Sequence, residues 1–244
     1  MSDERGVPAV VTLHVWGVRP ASVPGALLAM TTDRRSLAGV PGLRFAKLLG
    51  TGRGRTFTVT DADPRHWALL ASWQTTTAAR AFAGSPLVRR WRARADEELV
   101  LALDPLASRG RWSGRQPFGD PSPASVPPVG PVAAITRARV RPSWWRRFNA
   151  AVPPVSARLA AAPGLLLSLG VGEAPVGLQG TVSVWRDDAA LRDFAHGSAE
   201  HRAVVVATRD TGWYAEELFA RFAVRSGRGS LGGIELTVGT DPLA

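Results

Sequence analysis

The chain repeats itself once, and that repeat limits what it can fold into more than any other feature. Pro41-Gly42-Leu43 returns as Pro163-Gly164-Leu165. Ala71-Ser72-Trp73 followed by Ala81-Phe82-Ala83-Gly84-Ser85 returns as Val182-Ser183-Val184-Trp185 followed by Phe194-Ala195-His196-Gly197-Ser198. Ala95-Asp96-Glu97-Glu98-Leu99 then corresponds to Tyr214-Ala215-Glu216-Glu217-Leu218. The offset grows from 112 residues between Trp73 and Trp185 to 119 between Glu97 and Glu216, the drift that small loop insertions cause. Solenoid units run to roughly 20 to 50 residues, so copies this long are two similar domains.

Each copy reads strand, helix, strand, strand, helix, strand. In the first, Val10 to Trp16 alternates Val11, Leu13 and Val15 against Thr12, His14 and Trp16, as a half-buried strand does. A helix follows over Val23–Arg35, with Pro24 near its start where proline is tolerated. Phe45–Leu49 is the next strand. Gly50-Thr51-Gly52-Arg53-Gly54 lacks the strand-to-helix context and Lys-Ser/Thr ending of a phosphate loop, so it reads as a hairpin or bulged loop. His66–Trp73 is a strand, and Thr75–Leu103 holds two helical stretches and a last short strand. In the second copy, Val132–Val140 alternates, a helix starts at Ser143, Leu165–Val171 is a strand, and Glu216–Val224 closes the unit. Over Val176–Trp185, Val176, Leu178, Val182 and Val184 form the set suited to packing on helices. Gln179, Thr181, Ser183 and Trp185 form the set suited to a polar-edged cavity.

This order, twice, is the signature of ferredoxin-like units. The expected fold class is therefore α+β, with two tandem ferredoxin-like repeats closing on each other within one chain as a dimeric α/β barrel does between two. The repeats are expected at residues 1–104 and 132–226. Between them, 105–131 is a Pro/Gly/Ser-rich linker, packed in part because Trp112 and Phe118 are costly to leave in water. The Gly-rich tail, 227–244, is expected to be mobile.

One position separates the copies chemically. Ser198 is a good N-cap, which puts Glu200 near the positive end of a helix and His201 in its first turn, on the face of Val204, Val205 and Thr208. A helix N-terminus and an apolar face both disfavour imidazolium, and the neutral ring is the form that binds metal. A core histidine bonded to a backbone carbonyl fits the same position. The first copy has Val88 three residues after Ser85, where the second has His201 three residues after Ser198, so any such site belongs to the second half alone.

Composition excludes much. With 244 residues and 45% apolar content the chain can build real cores, and with no cysteine it has no disulfide, thiolate metal site, iron–sulfur cluster or haem thiolate. The net charge of +10 is almost all arginine, Lys47 being the single lysine. The arginines are spread over both halves without a zinc-finger, RNP or KH pattern, so nucleic acid is not an expected partner. Arg139 to Phe148 sets cations beside large aromatics and suits peripheral contact with an anionic membrane; the i,i+4 pair Trp144 and Phe148, after a capping Ser143, equally suits a core. Met1-Ser2-Asp3-Glu4-Arg5 lacks a basic-then-apolar leader and no apolar run has membrane-span length, so a cytoplasmic chain is expected, with membrane association kept open.

The chain resembles the spheroidene monooxygenase family of carotenoid-modifying oxygenases over nearly its full length. The resemblance lies in Phe45-Ala46-Lys47-Leu48-Leu49-Gly50-Thr51-Gly52, Gly110-Arg111-Trp112-Ser113-Gly114 with Pro117-Phe118, and Gly170-Val171-Gly172-Glu173-Ala174-Pro175. It continues through Gln179, Trp185, Phe194-Ala195, His201 and Trp213 to Phe222. It implies a haem-dependent oxygenase, with haem b held through its iron by His201, dioxygen and an electron donor as co-reactants, and a hydrophobic carotenoid- or terpenoid-like substrate. His14 matches no motif of the family, and His66 and His196 lie at strand and loop edges, so none of the three is assigned to iron. Under this reading Gln179, Thr181 and Ser183 are the polar groups near the reacting oxygen. Trp185, Phe194 and Trp213 are apolar walls or plain core, and Arg202 and Arg209 are propionate partners or ordinary solvated arginines. Two other readings stay open: haem with a different reaction, such as oxime dehydration, N-oxygenation or peroxidase work, and a haem- or lipid-binding barrel without turnover.

Overall fold

Strand β1 (Val10–Val18) is rich in β-branched and aromatic side chains, and all nine of its residues are buried. The half-buried strand expected from its alternation is corrected here, because both of its faces are covered. Val11, Leu13 and Val15 enter one apolar cluster, and Val10, Trp16 and Val18 enter another beneath helices. The chain, seen in a computed structural model, is described over residues 6–52, 61–122, 127–173, 178–196 and 212–240.

After β1 come α1 (Val23–Ser36), β2 (Leu43–Gly52), β3 (Ala62–Trp73), α2 (Thr76–Ala83), α3 (Pro86–Arg94) and β4 (Ala95–Gly110). The second repeat supplies β5 (Val132–Val140), α4 (Trp145–Ala160), β6 (Leu165–Gly172), β7 (Leu178–Trp185), α5 (Asp188–His196), β8 (Tyr214–Leu231) and β9 (Ile234–Val238). The strands follow the order β4-β1-β3-β2-β6-β7-β5-β8, and β8 pairs back onto β4, so eight strands close a barrel with β9 added outside β8. Each repeat contributes four strands in the same order. The seam between β4 and β8 is long, from Leu99 opposite Gly229 to Gly110 opposite Leu218, while that between β2 and β6 spans only Gly50–Gly52 opposite Gly172–Gly170. The α+β fold of two tandem ferredoxin-like repeats is thus the fold observed.

The repeat extends to backbone detail. Gly42 and Gly164 both have positive φ, at 72° and 81°, and a Cβ on either would come within 2.5 and 2.7 Å of the Cβ of Ala78 and Ala190 on the helix above. Two tight Pro-Gly turns therefore seat two helices in the same way. Trp73 meets Phe82 at 5.0 Å between ring centroids, and Trp185 meets Phe194 at 5.1 Å.

Several boundaries differ from those expected. The short closing strands expected are instead long, β4 from Ala95 to Gly110 and β8 from Tyr214 to Leu231, because the β4–β8 seam carries both strands well past their own sheets. Pro105–Gly110 accordingly belongs to β4 and not to a linker. The segment after it turns back into the barrel, where Trp112 and Phe118 are fully buried against Phe45 and Phe222. The stretch expected to be a mobile tail forms the β8–β9 hairpin up to Val238, paired from Gly227 opposite Val238 to Leu231 opposite Ile234. Trp144 lies in a single 3-10 turn ahead of α4, so Ser143 does not cap that helix. No helix among the described residues is long and apolar enough to cross a membrane.

Candidate functional site

The barrel interior is an apolar core drawn from every barrel strand, including Leu13, Leu49, Leu70, Leu101, Ile135, Leu169, Val182 and Phe222. Val182 and Val184 face this core and not the helices, which corrects the assignment of that set; Gln179, Thr181, Ser183 and Trp185 face the helix layer.

The two helix-facing sheet surfaces share a register, so they can be compared row by row. In the first repeat the middle row reads Leu48, Leu69, His14, Val100 across β2, β3, β1 and β4, and the next reads Gly50, Trp67, Trp16, Glu98. In the second repeat the same rows read Gly170, Thr181, Thr136, Phe219 and Gly172, Gln179, Ala138, Glu217 across β6, β7, β5 and β8. Two tryptophans, two leucines and a histidine have become glutamine, alanine, glycine and two threonines.

Packing follows this exchange of volume. In the first repeat α1, α2 and α3 lie on a closed layer in which Trp16 stacks on His14 at 5.5 Å and on Trp91 at 5.3 Å. In the second repeat the corresponding cluster among the described residues is Val132, Trp185, Ala190 and Leu191, at one end under α5. Away from it the described residues cover the sheet less completely. Thr136, on the inner strand β5, is exposed, and Ala134, Ala138 and Thr181 are only partly covered, whereas His14 at the matching place is 1% exposed. Gln179 and Ser183 are buried along the same face. At the α4 side, Asn149 Oδ1 and Trp213 Nε1 are buried without a hydrogen-bond partner among the described residues.

The expected site residues divide accordingly. Gln179 and Thr181 lie on this face, Gln179 buried and Thr181 partly exposed. Trp185 and Phe194 are the counterparts of the Trp73–Phe82 packing pair, and the Trp185 indole donates to Ser183 Oγ at 2.9 Å, much as Trp73 donates to Thr12 Oγ1. Their place is core at the end of the cleft. Trp213 stacks on Trp144 at 5.8 Å ahead of β8. His201, Arg202 and Arg209 lie outside the described residues. The first copy shows how that segment's counterpart folds: Ser85 Oγ accepts from Val88 N at 3.3 Å to open α3, and Val88 points into the core.

The other histidines have separate surroundings. His14 is a core residue of the first repeat. His66 Nδ1 meets Asp63 Oδ2 at 2.8 Å and Nε2 meets Glu97 Oε2 at 3.0 Å, while Glu97 also accepts from Gly233 N at 3.1 Å. The hydrogen bond to Asp63 raises the His66 pKa, burial opposes that, and Glu97 raises it further. Among the described residues no group of three or more His, Asp or Glu side chains could hold a metal ion.

Sequence reasoning missed two features. One is the set of small residues Thr136, Ala138 and Gly170, which a comparison of equivalent strand positions in the two repeats would have exposed. The other is a buried ionic cluster in which Arg137, 2% exposed at its side chain, pairs with Glu173 at 2.9 Å and with Glu216. Glu173 also accepts from Trp112 Nε1 at 2.7 Å and pairs with Lys47 at 2.5 Å; Glu216 accepts from the backbone of Ser113 and Gly114. Burial pushes the Glu173 pKa up, but the Lys47 hydrogen bond and charge, with help from Trp112 and Arg137, bring it below the usual value. Lys47, Trp112, Ser113, Gly114, Glu173 and Glu216 come from four separate stretches that carry the family resemblance, and here they meet.

Together these features define a dimeric α/β barrel folded from a single chain, with one sheet–helix layer filled and, among the described residues, one less covered. No protein-family model matches the chain. It is 39% identical over 225 residues to spheroidene monooxygenase of Rhodobacter capsulatus, covering 92% of this chain and 90% of that protein. It is 40% identical over 211 residues to spheroidene monooxygenase of Rubrivivax gelatinosus, covering 86% and 76%. The chain belongs to the spheroidene monooxygenase family. Its fold is similar to that of an aldoxime dehydratase solved in complex with butyraldoxime, with a TM-score of 0.61 over 91% of this chain and 81% of that one, at 11% identity.

Proposed function

We propose that this chain is a haem-dependent monooxygenase that inserts one oxygen atom into a carotenoid, using the open face of the second sheet as its site and His201 as the iron ligand. Membership of a family named for oxygenation of spheroidene supports the reaction and the substrate class. The observation that carries the location is the exposure of Thr136 on an inner barrel strand whose counterpart, His14, is sealed under helices.

The residues fit a large planar group. Replacing Trp16, Trp67, Leu48 and Leu69 by Ala138, Gln179, Gly170 and Thr181 removes bulk over a contiguous patch, which suits a flat macrocycle or a polyene lying on the sheet. His201, in the segment of sequence that follows α5, would hold the group, with Arg202 and Arg209 as candidate partners for its carboxylates. Bound haem would supply redox-active iron, one means of activating dioxygen toward a hydrocarbon.

The rest of the work falls to the chain itself. Gln179 and Thr181 present hydrogen-bonding groups from β7 where no other side chain of the middle rows, Thr136 apart, is both polar and neutral. Ser183 is engaged by Trp185 and so steadies the apolar end of the cleft. The cleft orients a rod-like substrate along the sheet and limits water. In balance, one atom of dioxygen enters a carbon–hydrogen bond, the other leaves as water, and an external donor supplies two electrons matched by two protons.

The test uses the purified, haem-loaded chain with spheroidene in detergent, a chemical or enzymatic reductant and oxygen-18 gas. One labelled oxygen per hydroxylation event supports the proposal. Product that takes its oxygen only from water, or no turnover by the haem-loaded chain, overturns it.

A further inference from the structure

Between Val132 and Gly172 the chain has six arginines and no acidic residue. Three of those arginines, Arg141, Arg146 and Arg147, are exposed around the start of α4, and none forms an ion pair among the described residues. They surround half-buried aromatics. Arg147 lies over the Trp144 ring at 5.1 Å, Trp144 stacks on Trp213, Trp145 stacks on Phe148 at 5.9 Å, and Phe148 meets Tyr214 edge-on at 6.3 Å.

We propose that this aromatic and arginine platform docks the protein on an anionic lipid surface. Half-buried tryptophans with one wet edge suit the headgroup region, and unpaired guanidiniums around them complement phosphate and an anionic leaflet. Position gives the docking a use. Tyr214 pairs with Val140, just beyond the Ala138–Glu217 row, so the platform stands at the mouth of the open sheet face. A polyene hydrocarbon partitions into lipid rather than water, and a mouth held against the bilayer shortens its route. The docking stands independently of the haem reading; its role in substrate uptake rests on that reading.

The test is co-sedimentation of the full chain with phosphatidylglycerol-containing vesicles and with pure phosphatidylcholine vesicles. Binding is expected to the first, to weaken with added salt, and to be slight to the second. Arg146→Gln with Arg147→Gln is expected to weaken it about fivefold per arginine, and Trp145→Ala to weaken it further. Arg35→Gln with Arg89→Gln, which removes the same charge elsewhere, is expected to leave binding within about twofold, with melting curves confirming that each variant is folded. Absence of vesicle binding, or equal loss in the two arginine pairs, overturns the proposal. So does binding to duplex DNA that depends on Arg146 and Arg147 but not on Trp145, which marks a polyanion site. A failed turnover assay alongside intact vesicle binding removes only the catalytic reading.

Discussion

Trp16 and Ala138 stand at the same register of the two repeats, and the indole that fills the first sheet–helix layer is the volume that the second leaves open. Trp16 is fully buried and donates from Nε1 to Glu98 Oε1 at 2.9 Å; Ala138 lies partly uncovered beside Gln179 and Glu217. Among the described residues, one duplicated fold thus pairs a packed layer with a less filled one, the face proposed above for the ligand.

Ala138→Trp restores the first repeat's residue and should close that room. Because the position is not in a packed core, stability should move by no more than about 1 kcal/mol. Ligand loading and turnover should fall at least tenfold. The check is a melting curve beside a turnover assay. Unchanged turnover in a folded variant would place the site elsewhere.

Arg137 and Trp112 tie the segment after β4 into the barrel. Removing the buried guanidinium takes one charged partner from each of two part-buried carboxylates and leaves a cavity, so Arg137→Ala should cost up to about 3 kcal/mol, and Trp112→Ala about 3–5 kcal/mol through the cavity it leaves. Arg137 lies over the Trp112 ring at 5.6 Å and both bond Glu173. The double variant should therefore cost less than the two single losses together, by roughly 0.5–3 kcal/mol, in denaturant titrations.

His66 should give stability a pH dependence of known sign. Its pKa is raised in the folded protein, chiefly by Asp63, so its contribution is fully present below the unfolded value of about 6.5 and fades as pH rises through the folded value. Glu97 titrates far below this window: burial pushes its carboxyl up, yet the bonds from His66, Gly233 and Gly232 hold it at about 2. His66→Gln should lower the melting temperature most near pH 6 and least near pH 9. A difference that does not change with pH would contradict this.

The repeat carried most of the fold in the sequence, because Pro-Gly turns, tryptophan strands and small-residue helix starts recur in order. Strand ends were illegible: β4 and β8 run on because they pair with each other across 119 positions or so of sequence, a long-range choice that local alternation does not encode. Facing was half legible. The alternation of Gln179, Thr181 and Ser183 was plain, but which side met helices depended on the barrel closing, and a closed barrel buries the valine set inside. The residues that open the site, Thr136 and Ala138, carry no chemical signature of their own; their meaning lies in what stands opposite them in the other repeat.

The central claim is that the second repeat holds haem through His201. The most direct measurement is the absorption spectrum of the haem-reconstituted chain, oxidised and then reduced under carbon monoxide, beside His201→Ala and, as a control in the filled repeat, His66→Gln. A haem band in the parent and the control that is shifted or lost in His201→Ala is the predicted result. Equal spectra in all three, or no band in any, would contradict the account.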